Sequence, residues 1–208
     1  MRSLRSLVAL YLVALMSACA STPAQHHGGA PGGHHSPGRH DSGDARFATL
    51  SLCDGVKISN APATDRNGKI INFDSTAYVG GASLLRAPVK ACVSSGFGPR
   101  NGGASSFHHG VDLYTGRPAA IYASGDGVVE SVATLRGYGN TILIRHAGGV
   151  KTLYAHLSDY AQGLRPGVRV EKGQYIGATG RTGNATAVHL HYEIIVDGER
   201  HNPLTVGR

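Results

Sequence analysis

Glycine fills 30 of the 208 positions, about twice the usual ~7% share, and it follows no collagen period. A glycine inside a helix costs roughly 1 kcal/mol relative to alanine, whereas in a tight turn its freedom at positive φ is an advantage. A chain this rich in glycine is therefore expected to form turn-linked β structure with few helices. The turns cut the C-terminal half into short β-rich runs. Residues 127–135, 141–146 and 150–156 are joined by Arg136-Gly137-Tyr138-Gly139-Asn140 and Ala147-Gly148-Gly149, which is the pattern of an antiparallel meander. Further strands are expected over 168–170, 174–177 and 188–196, and one helical turn over 158–162.

The N-terminus carries an address. Arg2 and Arg5 precede the apolar run 7–15, then Met16-Ser17-Ala18-Cys19, which reads as an export signal over 1–18: a charged start, a short apolar stretch and small residues before a cleavage point. Cys19 after Ser-Ala resembles the lipidated residue of a bacterial lipoprotein, with plain cleavage near Ala18 or Ala20 as the alternative. The expected location is periplasmic, held at the outer membrane through Cys19. With Cys19 acylated, Cys53 and Cys92 are the remaining thiols, and in an oxidising compartment they are expected to pair. The formal charge of +7 includes Arg2 and Arg5, and the other bases are scattered. That argues against nucleic acid as a partner and suits a polyanionic cell wall.

Residues 19–46 hold His26, His27, His34, His35 and His40 among Gly, Pro and Ser. With few apolar side chains to offset the entropy of ordering, they read as a flexible tether; loose metal binding by the imidazoles is the alternative, which would make the protein a periplasmic metal-binder. Residues 47–84 mix short apolar pieces such as Ile70-Ile71-Asn72-Phe73 with Asn, Asp, Gly and Pro. They suit either edge strands on the main domain, 85–208, or a pro-like segment lying over a groove.

Three places carry chemistry. In Val188-His189-Leu190-His191-Tyr192-Glu193 a strand puts His189, His191 and Glu193 on one face, the two imidazoles ~7 Å apart. That spacing suits one metal ligand and one neighbour acting on what the metal holds. In Phe107-His108-His109-Gly110-Val111-Asp112, His108 or His109 together with Asp112 offers nitrogen and carboxylate ligands acceptable to zinc; spacing does not choose between the histidines. In Thr152-Leu153-Tyr154-Ala155-His156, the polar face of a strand carries Thr152, Tyr154 and His156. Together these residues supply three ligands and two spare imidazoles, enough for an open hydrolytic zinc centre.

The order Ser95-Gly96-Phe97-Gly98-Pro99-Arg100, His108-x-x-x-Asp112, Tyr154-Ala155-His156-Leu157 and His189-Leu190-His191-Tyr192-Glu193 resembles the motifs of the lysostaphin-like (LytM-type) zinc metallopeptidases. The likeness spans about residues 88–204 and includes Gly125-Asp126-Gly127-Val128 and Gly173-Gln174-x-Ile176-Gly177. It implies a mostly β, antiparallel, sandwich-like domain with an open groove. It also implies Zn2+ held by His108, Asp112 and His191, with His156 and His189 as catalytic imidazoles and His109 outside the ligand set. By resemblance the substrate is peptidoglycan, with D-alanine to diaminopimelate cross-links the preferred target. Arg100 is either a carboxylate contact or a structural residue beneath the groove. Ala185-Thr186-Ala187-Val188 departs from the family's usual Ser-Thr-Gly-Pro-like run in a loop bordering the groove, where substrate preference is set. Some members of the group lack zinc and instead activate cell-wall amidases. An amidase or division-machinery partner is thus the non-enzymatic alternative.

Overall fold

The run 188–196, in which polar and apolar residues alternate, becomes the central strand of the main sheet and is buried on both faces over its first six residues. Such burial needs neighbours on either edge and packing above and below. In this computed structural model, which describes residues 45–56, 58, 60–100 and 106–208, the rest of the fold supplies them.

A 3-10 turn at Ala45–Phe47 precedes a hairpin of β1 (Thr76–Val79) and β2 (Ala82–Leu85). Then follow β3 (Cys92–Ser95), β4 (Gly98–Pro99), β5 (Phe107–His108), β6 (Val111–Tyr114) and β7 (Ala120–Tyr122). The expected meander is β8 (Gly127–Leu135), β9 (Gly139–Arg145) and β10 (Val150–Ala155), antiparallel throughout. After it come β11 (Leu157–Tyr160), β12 (Arg169–Val170), β13 (Tyr175–Thr179), β14 (His189–Val196) and β15 (Glu199–His201). The main sheet runs β12-β8-β9-β10-β14-β6-β3, with β15 also paired to β14, and a smaller sheet runs β11-β13-β7. The domain is nearly all antiparallel β, as the glycine-punctuated sequence implied.

Two expectations change. Residues 158–162 do not form a helical turn: Leu157–Tyr160 is β11, because Leu157 is fully buried and the stretch pairs with Gly177, Ala178 and Thr179 of β13. The tertiary partner overrides local preference. The second concerns His156, treated with the site below. The pairing of Cys53 with Cys92 is present, with Cα atoms 5.0 Å apart. The leader 1–18, Cys19 and all but the last two residues of the tether lie outside the described residues.

The core is made by the inner faces of these strands, with Leu84, Val111, Leu113, Ile142, Ile144, Leu190 and Ile194 all fully buried. Each such side chain contributes about 1.5–3 kcal/mol relative to exposure. Threaded through it is a polar chain. Tyr154 and Tyr192 are wholly buried, with ring centroids 5.4 Å apart. The backbone N–H of Ser124 donates to Tyr154 OH at 2.8 Å, and Tyr192 OH donates to the carbonyl of Leu85 at 3.0 Å. Thr152 Oγ1 stands 3.0 Å from Tyr154 OH and 2.7 Å from His146 Nε2, while His146 Nδ1 donates to the carbonyl of Asp126.

Burial lowers the pKa of His146 below its ordinary 6.5, so the fold holds the neutral ring while the unfolded chain protonates at its usual pKa. His146 therefore contributes stability that is complete above about pH 6.5 and is lost as pH falls below it, levelling off once the folded ring itself protonates. Chemical denaturation of wild type and His146→Gln between pH 8 and 5 should show a shallower acid-side decline in the variant. Parallel profiles would contradict this assignment.

Candidate metal centre

The pairing of β6 with β14 sets Asp112 directly opposite His191. Their side chains meet with Asp112 Oδ1 2.9 Å from His191 Nδ1. His108 joins them from β5, its Nε2 lying 3.1 Å from Asp112 Oδ1 and 3.0 Å from His191 Nδ1. The corner between β5 and β6 reaches this close because residue 110 is glycine; a Cβ there would collide with the carbonyl of Tyr192. The neighbouring histidines differ in orientation. His108 is buried in the cluster, whereas His109 is exposed, its ring 5.1 Å from that of Phe107.

His189, two residues before His191 on the same face of β14, places Nε2 3.6 Å from Asp112 Oδ1. Its ring lies 4.8 Å from that of His156. Strand alternation alone would send His156 to the same side as Thr152 and Tyr154. That expectation fails, because those two residues belong to the interior polar chain while His156 adopts φ 66° just past the end of β10. This left-handed backbone, rare for a residue with a Cβ, turns the imidazole to the face of His189 and His191. Its N–H is held by the carbonyl of Tyr138 at 2.9 Å.

The hydrogen bonds fix which nitrogen of each ring is free. His108 Nδ1 donates to the carbonyl of Gly96 at 2.6 Å, His156 Nδ1 to Thr182 at 2.8 Å and His189 Nδ1 to Ala187 at 2.9 Å. His191 Nε2 donates to Glu193 Oε1 at 3.0 Å. In neutral rings the opposite nitrogens then carry lone pairs. Two of them, with Asp112 Oδ1, converge within 2.9–3.1 Å of one another. Three such atoms at that separation repel unless a proton or a metal cation lies between them, and with a metal bound the proton on His191 Nδ1 is displaced. Ligand atoms at ~2.0–2.1 Å from zinc in a tetrahedral array stand roughly 3.3 Å apart, so the cluster fits such an ion with a few tenths of an ångström of adjustment.

The electrostatics agree. Burial opposes it, yet the bonds to Asp112 and Glu193 raise the pKa of His191 to about 9. Burial likewise works against the Asp112 carboxylate, but His108 and His191 hold its pKa far below the usual range. The centre attracts positive charge. Burial together with the nearby His189 lowers His156 to about 4, so this ring is neutral near pH 7.

Glu193 is a residue whose role the sequence did not disclose, although alternation placed it on the histidine face. It is fully buried. Oε1 accepts from His191 Nε2 and from Tyr138 OH at 2.9 Å, and Oε2 accepts from Arg200 Nε at 2.8 Å. Burial would raise its pKa, but the bonds from His191 and Arg200 outweigh that and lower it. A carboxylate bonded to the far nitrogen of a ligand histidine fixes its tautomer and raises its basicity, and removing such a partner typically costs 10–100-fold in metal affinity. Glu193→Gln is expected to weaken zinc binding by about tenfold in chelator competition. An unchanged affinity would assign Glu193 to packing alone. Arg200 reaches the site through the pairing of β15 with β14, and Tyr138 from the glycine turn between β8 and β9.

The cluster opens into a groove of about 380 Å³, walled by Arg100, Phe107, Tyr138, Asn184 and Thr186. Arg100 thus borders the groove. The loop at Ala185 and Thr186, where the sequence departs from the family pattern, also lines it.

The profile described as Peptidase family M23 matches residues 106–203. The chain is 43% identical over 99 residues to "DD-carboxypeptidase/endopeptidase Mpg" of Neisseria meningitidis, a match covering 48% of this chain and 22% of that protein. It is 38% identical over 139 residues to "Peptidoglycan DD-endopeptidase ShyC" of Vibrio cholerae, covering 64% and 32%. It is 36% identical over 134 residues to "Murein hydrolase activator NlpD" of Salmonella dublin, covering 64% and 34%. The matches thus span between about a fifth and a third of these relatives' lengths. Among solved structures, a zinc-containing peptidase from Vibrio cholerae superposes with a TM-score of 0.55 at 32% identity, covering 59% of this chain and 40% of that one. The catalytic domain of lysostaphin from Staphylococcus simulans does so at 0.50 and 30% identity, covering 54% and 89%.

Proposed function

Residues 106–203 belong to peptidase family M23, and on that premise we propose that this protein is a zinc-dependent endopeptidase. It would act outside the cytoplasm on peptidoglycan, hydrolysing cross-links between D-alanine and diaminopimelate. The observation that carries the reading is the convergence of three lone-pair atoms, from His108, Asp112 and His191, beside two further imidazoles whose Nδ1 atoms are already committed to backbone carbonyls.

His108 Nε2, Asp112 Oδ1 and His191 Nδ1 would hold the ion, which supplies Lewis acidity toward a carbonyl oxygen and lowers the pKa of water. The chain's own residues do the rest. With Nδ1 committed to a backbone carbonyl, His156 and His189 each leave Nε2 for the site, where either would exchange a proton with the attacking water and then donate to the developing oxyanion or the leaving amine. Glu193 and the Gly96 carbonyl keep His191 and His108 turned with the correct nitrogen inward. The groove is open enough for an extended, branched peptide, and Arg100 on its wall suits a substrate carboxylate.

The names of the Neisseria and Vibrio relatives support the peptidoglycan substrate. The Salmonella relative's name supports a second reading, in which the domain activates cell-wall amidases. The complete ligand set favours the enzyme.

Purified diderm peptidoglycan, incubated with the zinc-loaded protein and analysed by mass spectrometry, tests both. Conversion of cross-linked dimers to monomers, blocked by chelator, is expected. Unchanged dimers with folded, zinc-loaded protein would overturn the endopeptidase reading. Stem peptides released only when an amidase is added would favour the second.

A further inference from the structure

Residues 51–53 and Asn60 lie well before the matched span 106–203, yet they are tied to β3 and the residues just after it. Leu52 forms a parallel bridge with Val93 of β3. The N–H of Cys53 donates to the carbonyl of Val93 at 3.0 Å, and the N–H of Val93 donates to that of Ser51 at 2.8 Å. The Cys53–Cys92 disulfide clamps the same place. From there the chain runs to Asn60, whose Nδ2 donates to the carbonyl of Gly96 at 2.7 Å. That same oxygen accepts from His108 Nδ1 at 2.6 Å. Both lone pairs of one carbonyl are thus used, one by a residue outside the matched span and one by a proposed metal ligand.

The fit is close. Gly96 is buried, and a Cβ on it would collide with the backbone carbonyl of Asn60. Ser95 Oγ also lies 3.3 Å from His108 Nδ1. Among the described residues, none before Arg100 lines the groove.

We infer that Asn60 is a positioning residue for the metal ligand His108, acting through the Gly96 carbonyl. The disulfide-clamped residues 51–53 together with Asn60 then serve as a built-in buttress of the metal site, in place of a cover over the groove. Fixing that carbonyl fixes the tautomer and angle of the His108 ring, and so the direction of its Nε2 lone pair. The inference rests on the zinc reading above.

The test uses the full chain with Asn60→Asp, which keeps shape but removes the donor, and Asn60→Ala. Zinc affinity is measured by chelator competition and the melting temperature of the metal-free protein is measured alongside. Both variants are expected to bind zinc about tenfold more weakly, the low end of what outer partners cost. A packing role alone would lower the melting temperature and leave affinity within about twofold of wild type; that result in Asn60→Asp overturns the inference. Should Asn60→Asp fail to fold, Asn60→Ala decides by the same criterion. A wild-type protein that takes up no zinc fails the underlying reading instead, and is distinguishable because the variants are then never compared.

Discussion

His191→Ala is expected to remove zinc retention and hydrolysis together. The substitution deletes Nδ1, one of three atoms that meet within 3.1 Å, and two remaining donors do not hold zinc against dialysis when structural and catalytic sites need three or four protein ligands. It also strips one partner from the buried Glu193 carboxylate, leaving Tyr138 and Arg200 to satisfy it. An unmade bond to a buried group costs about 1–3 kcal/mol, so the metal-free variant should fold with a lowered melting point. Elemental analysis after dialysis and muropeptide turnover are the two measurements. Turnover above background in a zinc-depleted His191→Ala protein would show that the metal cluster is not the seat of the chemistry.

His156→Asn separates binding from catalysis. Asparagine tolerates the left-handed backbone better than most residues with a Cβ, so the φ of 66° at this position is retained while the imidazole is lost. His156 is not among the three converging atoms, and zinc affinity should stay within a few-fold of wild type. Turnover should fall by about 10²–10⁴, the range typical for a positioned general acid or base. The informative combination is retained zinc with lost rate. Undiminished turnover would leave His189 as the sole proton carrier.

How far the sequence reveals this arrangement depends on the range of each interaction. The meander β8-β9-β10 and the shared face of His189, His191 and Glu193 follow from turns and alternation, which are local. The position of His156 does not, since one left-handed residue reverses the side on which the ring emerges. Nor does β11, whose strand character comes from pairing with β13 about twenty residues on. The link of Asn60 to Gly96 joins residues 36 apart through a turn, outside any strand pairing. That of Arg200 to Glu193 is made within the β14–β15 hairpin, whose Asp197-Gly198 turn is a local signal just past the strand expected over 188–196. No spacing rule within a single stretch encodes the first of these.

The central strand has a further consequence for how such a protein can diversify. On β14 alternate residues serve opposite ends: His189, His191 and Glu193 face the ion cluster, while Tyr192 enters the interior hydroxyl chain and Leu190 and Ile194 the core. A single-residue insertion or deletion there would exchange the two sets at once, abolishing chemistry and stability in one step. A change of length in the loop at 185–186, where the groove wall is built, would leave that alternation intact. The rim can thus be remodelled around an unaltered ruler.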